Sequence, residues 1–218
     1  MPRPLAVEEI PGIVAALAQG ARNAISAGFD GVEVHGANGY LIDQFLRDTP
    51  NQRTDAYGGS PENRARLLFE VLTAVTQAIG SERVGLRLSP LNSFNSMKDS
   101  DPLAFIGFVA DRLNAFKLAY LHVMRADFFG VQKADVMPVA REKYKGVLVG
   151  NMGYSADEAE AAIAEGKLDA VAFGTAFLAN PDLPARIRAK APLNAPDSNT
   201  FYAGGAKGYT DYPTLQVA

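Results

Sequence analysis

Cysteine is absent from the 218 residues, which excludes a disulfide framework and any thiolate metal site. Only two histidines occur, His35 and His122. Neither stands in an HExxH-type spacing, so a zinc site would have to be filled with carboxylates. No run approaches the ~18 apolar residues of a membrane span, and the opening "MPRPLAVEEI" lacks the basic-then-apolar layout of a signal peptide. A cytoplasmic protein is therefore expected. Basic clusters are missing as well. With a formal charge of −3 and a pI near 5.4, the chain would repel phosphate backbones, so neither nucleic acid nor a membrane surface is an expected partner. No linker rich in Gly, Pro or Ser divides the chain, and residues 1–218 are expected to form a single domain.

What is present is a regular alternation. Five short, nearly continuous apolar runs read as strands covered on both faces: "FDGVEVH" (29–35), "RVGLRLS" (83–89), "AYLHVM" (119–124), "GVLVG" (146–150) and "AVAFG" (170–174). Helical patterns lie between them, at 7–26, 61–79, 102–115, 156–165 and 182–190. Ser60 with Pro61, Ser100-Asp101 with Pro102, and Ser155 supply start signals. Strand and helix in repeated succession predict right-handed βαβ units and a parallel sheet.

Two architectures fit that pattern. A doubly wound sheet closes with five strands, whereas a (β/α)8 barrel needs eight and typically ~250 residues. Polar groups at several strand ends favour the barrel: His35 with Asn38 and Tyr40, then Arg87, Asn151 and Thr175.

The first group sits in "GFDGVEVHGANGYLIDQF" (28–45). Donors at His35 and Asn38 could hold one carbonyl oxygen between them, with Tyr40 as a nearby general acid. The plainer reading is a strand cap, a turn and a core tyrosine. Arg87, between Leu86 and Leu88, matches a planar electron-rich acceptor or an anion, or a salt bridge to Glu33 on the next strand. The turns in "VGNMGYS" (149–155) and "FGTAF" (173–177) could cradle a phosphate with backbone N–H groups, or be ordinary βα turns. In "NQRTDAYGGSPENRARLLFE" (51–70), bonds from Arg53, Asp55, Asn63 and Arg64 are expected to order the loop itself.

These segments, together with "VGLRLSP", "AYLHV", "DAVAFGTAFLANPDLPARI" and the tail "FYAGGAKGYTDYP" (201–213), resemble the Old Yellow Enzyme family of flavin-dependent ene-reductases. The match runs in order along essentially the whole chain. The "HxxN-G-Y" and "NQRTDxYGGSxENRxR" segments are far more specific than any three-residue motif.

The resemblance implies a (β/α)8 TIM barrel that binds FMN non-covalently, takes hydride from NADH or NADPH, and reduces the C=C bond of enones and enals. It implies that His35 and Asn38 grip the substrate carbonyl oxygen and that Tyr40 protonates the α-carbon. Arg87 would stand beside the flavin N1–C2=O edge. Gly150, Asn151, Met152, Gly174 and Thr175 would form the phosphate-binding turns. Tyr202 would lie near flavin and substrate. Many members of the family carry arginine at the position of Thr175, so one charge-assisted contact is replaced here by a hydroxyl.

In the family the "PRPL…EEI" segment follows the third strand. The five strands are accordingly expected to be the fourth to eighth, leaving about 90 residues in three βα units to come from elsewhere. A complementary amino-terminal barrel chain, or a swapped second copy, is the expected partner, since two open strand edges would invite aggregation. Two other readings stay open at this point: a non-catalytic partial barrel, and a phosphate-ligand binding module of the doubly wound type.

Overall fold

The computed structural model describes residues 3–202 and 204–215. Five parallel strands form one sheet: β1 (Val32–Gly36), β2 (Val84–Leu88), β3 (Tyr120–Met124), β4 (Leu148–Asn151) and β5 (Ala170–Ala172), in spatial order β1-β2-β3-β4-β5. That order decides between the two architectures. A doubly wound sheet reverses direction at a switch point so that helices cover both faces. Here every crossover moves one strand further in the same direction, and right-handed connections then place all helices on one side. The sheet is the arc of a barrel wall.

The helices are α1 (Ile10–Ser26), α2 (Leu41–Leu46), α3 (Pro61–Arg64), α4 (Arg66–Ile79), α5 (Pro102–Leu113), α6 (Met137–Lys143), α7 (Ala156–Ala164), α8 (Thr175–Ala179) and α9 (Leu183–Ala189). Start signals act as expected. Ser60 Oγ accepts from Asn63 N–H, Asp101 Oδ1 from Ala104 N–H, and Ser155 Oγ from Glu158 N–H. The helix expected over 61–79 breaks at Ala65 into α3 and α4. Three short helices, α2, α6 and α8, lie outside the five expected ranges. The longest of them, α6, has only seven residues, with Pro138 in its first turn, too short for a periodic signal.

Side chains alternate across the strands. Val34, Leu86, Leu88, Leu121, Val123 and Leu148 are buried under the helices, each such side chain contributing roughly 1.5–3 kcal/mol. The opposite face carries Glu33, His35, Arg87, Val149 and Asn151, which retain exposure. In a closed barrel this is the lumen side. Strand β1 pairs only with β2, and β5 only with β4, so both edges of the arc are open among the described residues.

The 51–70 loop orders itself in part: Arg53 holds Asp55 through Nε and Nη2 at 3.1 and 2.6 Å and Asn63 Nδ2 donates to Gly58 O at 3.1 Å, whereas Arg64 Nη1 reaches out of the loop to Asp99 at 2.9 Å. The carboxyl-terminal segment is pinned to α9, where Arg186 donates to the carbonyls of Pro192 and Pro213. No helix among the described residues is long and apolar enough to cross a membrane.

Candidate active site

Strand β1 ends by placing His35 on the open face of the sheet, in register with Arg87 of β2. The chain then turns tightly. Asn38 and Gly39 have φ of 57° and 70°, the left-handed region that glycine and asparagine tolerate best. Tyr40 follows as the residue capping α2, 55% exposed, with its ring 5.6 Å from that of His35. The imidazole, carboxamide and phenol therefore stand together at the carboxyl end of one strand.

This turn is anchored from beneath. Asn38 N–H donates to Ser89 Oγ at 2.7 Å, and Gly39 N–H donates to Asp43 Oδ2 at 2.8 Å. Asn38 Oδ1 accepts from Asn92 Nδ2 at 2.8 Å. Arg47, fully buried, donates to Ser89 O and Gln132 Oε1. Burial pushes the Asp43 carboxyl up to about 6, against the pull of the Arg47 guanidinium. His35 is shifted the other way: burial first, and then the positive charge of Arg87, lower its pKa, which favours the neutral imidazole. A neutral imidazole donates one N–H.

Of the two readings of Arg87, the salt bridge to Glu33 is not formed. Arg87 Nη2 donates to Asn151 Oδ1 at 2.9 Å, and Asn151 Nδ2 donates in turn to Ala172 O at 2.9 Å. Glu33 instead lies 2.9 Å from His122 Nδ1. Glu33 is level with Gly85 and Tyr120, one layer below Arg87 and His122, so its contact with His122 runs diagonally across β2. The Tyr120 phenol beside this carboxylate is pushed up to about 12 by burial and by Glu33.

Gly150, Asn151 and Met152 close β4, and Gly174 with Thr175 follows β5, so the two turns are neighbours at the same end of the arc. Met152 has φ of 84°. Arg125, just after β3, grips this turn by donating from Nε to Met152 O at 2.8 Å and from Nη2 to Gly153 O at 2.9 Å. It is also paired with Glu158 and lies over Tyr154. A guanidinium so committed shapes the turn. Tyr202 is 97% exposed in the turn after Thr200 and is packed against none of the other predicted site residues.

A flavin fits what these residues offer. Arg87 Nε is buried with no partner among the described residues, an unspent donor on the open face. At the phosphate turns a Cβ added to Gly174 would meet nothing within 4 Å, so the backbone there is open to a ligand. Sequence reasoning missed Ser89, Asn92 and Arg125, whose contacts run across loops and leave no local pattern, and Asp43, whose i,i+4 spacing to Arg47 is ordinary on a helix.

Comparison with known proteins agrees with this geometry. The model of the NADH:flavin oxidoreductase / NADH oxidase family matches residues 1–194. A probable flavin mononucleotide-dependent alkene reductase of Leishmania infantum is 59% identical over 216 residues, covering 99% of this chain and 59% of that protein. The 12-oxophytodienoate reductase 2 of Arabidopsis thaliana is 45% identical over 221 residues, covering 99% of this chain and 59% of that protein. Among solved structures, the old yellow enzyme from Trypanosoma cruzi superposes with a TM-score of 0.97 at 45% identity, over 99% of this chain and 58% of that one. Morphinone reductase superposes with a TM-score of 0.94 at 46% identity, again over 99% and 58%. The chain thus spans a little under three-fifths of the length of these relatives.

Proposed function

The chain belongs to the NADH:flavin oxidoreductase / NADH oxidase family, and from that premise we propose that it reduces the C=C bond of α,β-unsaturated carbonyl compounds with FMN and NAD(P)H. The observation that carries this reading is the grouping of His35, Asn38 and Tyr40 on the same open face as Arg87. Bound FMN would supply the hydride delivered to the substrate β-carbon. Arg87 would hold the flavin's electron-rich edge, and the main chain of Gly150, Asn151, Met152, Gly174 and Thr175 would hold its phosphate.

The chain's own residues do the rest. His35 and the Asn38 carboxamide donate to the carbonyl oxygen, drawing electron density from the alkene so that the β-carbon becomes electrophilic. Donors aimed at such a developing oxyanion are each worth roughly 10²–10³ in rate. Tyr40, exposed at the rim, gives its hydroxyl proton to the α-carbon and regains one from solvent.

We further propose that the five strands are the fourth to eighth of the barrel, and that the remaining strands complete both the wall and the flavin site. An amino-terminal segment, a complementary chain or a swapped second copy could supply them. The open edges of β1 and β5 support this. So does the 58–59% share of the relatives' length that the chain covers. A non-catalytic partial barrel would have no use for His35 beside an anchored Asn38. The test is to combine the chain with the completing segment and FMN, then supply NADPH and cyclohexenone. Cyclohexanone as the product supports the proposal. Flavin uptake and NADPH oxidation without any ketone product would refute the ene-reductase reading.

A further inference from the structure

Asn38 can serve the carbonyl only if its carboxamide presents nitrogen, not oxygen, to the open face. A carboxamide is nearly symmetric in shape, so something must choose between the two orientations. The choice is made by a residue just beyond β2. Asn92 is 3% exposed, and its Oδ1 lies 3.5 Å from Phe94 N and 3.3 Å from Phe128 N. Both are backbone N–H groups that can only donate, so that end of the Asn92 carboxamide must be oxygen. Its other end must then be the donating nitrogen, and it points at Asn38 Oδ1, 2.8 Å away. Asn38 Oδ1 is thereby occupied, and Asn38 Nδ2 is left without a partner among the described residues, free to donate outward.

Resting on the ene-reductase reading above, we propose that Asn92 is a positioning residue that fixes the polarity of Asn38. Two main-chain donors set Asn92, Asn92 sets Asn38, and Asn38 presents N–H to the substrate oxygen. The scaffold around the relay is rigid. Asn38 N–H is tied to Ser89 Oγ, and Asp127 joins the two loops that supply Phe94 and Phe128 by accepting from Ser93 N–H and Phe129 N–H at 2.8 and 3.2 Å. Asn38 and Asn92 are therefore held at hydrogen-bond distance by the backbone, and only the polarity of the pair needs specifying.

Asn92→Asp is the sharpest probe. A carboxylate still accepts from Phe94 and Phe128 but cannot donate, so Asn38 must turn over and offer it Nδ2. That leaves Asn38 Oδ1 facing the carbonyl. In the completed, FMN-loaded barrel, Asn92→Asp is expected to weaken binding of phenol, a probe whose oxygen mimics the carbonyl, about 10-fold or more. The KM for cyclohexenone should rise alongside, and FMN affinity should be unchanged. Asn92→Ala, which lets Asn38 turn freely, should give a smaller loss in the same direction and covers the case in which the aspartate variant fails to fold. Asn38→Gly, compatible with the positive φ, removes the carboxamide altogether; adding either Asn92 change to it should then cost nothing further.

Equal losses from the Asn92 changes with Asn38 in place and in the Asn38→Gly background, or no loss at all, would overturn the proposal. A readout independent of activity separates it from the function it rests on. The Asn92 side-chain amide protons should exchange slowly with solvent in the wild-type chain and quickly in Asn38→Gly. Protection without ene-reductase activity would keep the relay and sink the function, whereas unprotected protons would sink the relay.

Discussion

Arg87 Nη2 and Asn151 Oδ1 meet at 2.9 Å across the open face of the sheet, bridging β2 to β4 over the intervening β3. Through Asn151 Nδ2 the connection continues to the backbone of β5. The residue expected beside the flavin ring and the turn expected beside its phosphate are thus mechanically one unit. Arg87→Lys keeps the charge but loses the planar fork, so it cannot hold Asn151 and a flavin edge together. FMN affinity of the completed barrel is expected to fall about 10- to 100-fold, the value of one charge-assisted hydrogen bond. Fluorescence titration of FMN checks this, and unchanged affinity would remove Arg87 from the flavin site.

Tyr40→Phe removes the hydroxyl from the His35–Asn38–Tyr40 group. Loss of a general acid costs typically ~10²–10⁴ in rate. Stopped-flow measurement of the two half-reactions should show slow alkene reduction with flavin reduction by NAD(P)H largely intact. If both half-reactions fell together, Tyr40 would be positioning a ligand rather than delivering a proton.

Asp43 makes the fold pH-dependent in an unusual direction. Its folded pKa of about 6 lies above the ~3.9 of an unfolded aspartate, so the folded chain holds the proton more tightly. The associated stability is fully present below about pH 4 and is lost as pH rises through about 6. Other carboxylates act oppositely. Burial works against Asp127, yet the N–H groups of Ser93, Gln132 and Phe129 hold it down to about 2, so its contribution is lost only as pH falls through that value. Urea unfolding of wild type and Asp43→Asn between pH 4 and 7 separates the two. The difference between the proteins should change by at most ~3 kcal/mol across that window, and a constant difference would contradict the assignment.

Gly39 and Gly59 have similar positive φ, 70° and 81°, but different surroundings. A Cβ at Gly59 would meet nothing within 4 Å, whereas one at Gly39 would lie 2.6 Å from both Phe94 O and Asn95 Cβ. Gly59→Ala should cost only the backbone term, about 1–2 kcal/mol. Gly39→Ala should cost clearly more and should also weaken phenol binding, because the turn carrying Asn38 must shift. Thermal melts of the two variants make the comparison, and equal losses would show that the Phe94–Asn95 turn yields freely.

The strands were legible because each is a short apolar run, and their number and order of appearance hold in the structure. Their starts were less so. "FDGVEVH" begins three residues early, since Phe29 is 66% exposed and its N–H returns to Ala24 O to finish α1. The motif residues His35, Asn38 and Tyr40 were visible because they cluster within six positions. Asn92 was not, for it meets Asn38 only after β2 returns beside β1, 54 positions further along the chain. The same limit applied to Arg87. Glu33 was the one protein partner its sequence context offered, whereas the observed partner, Asn151, lies 64 positions further along the chain on β4.

The central claim, that this arc of five strands holds half of a flavin site, is tested most directly by visible absorption. The purified chain is mixed with FMN and freed of unbound flavin, first alone and then with the segment that completes the barrel. Yellow flavin retained only by the mixture is the predicted result, because Arg87 and the phosphate turns supply one side of the site and the completing strands the other. No retained flavin even in the mixture would contradict the account, and full retention by the chain alone would show that these five strands need no completion.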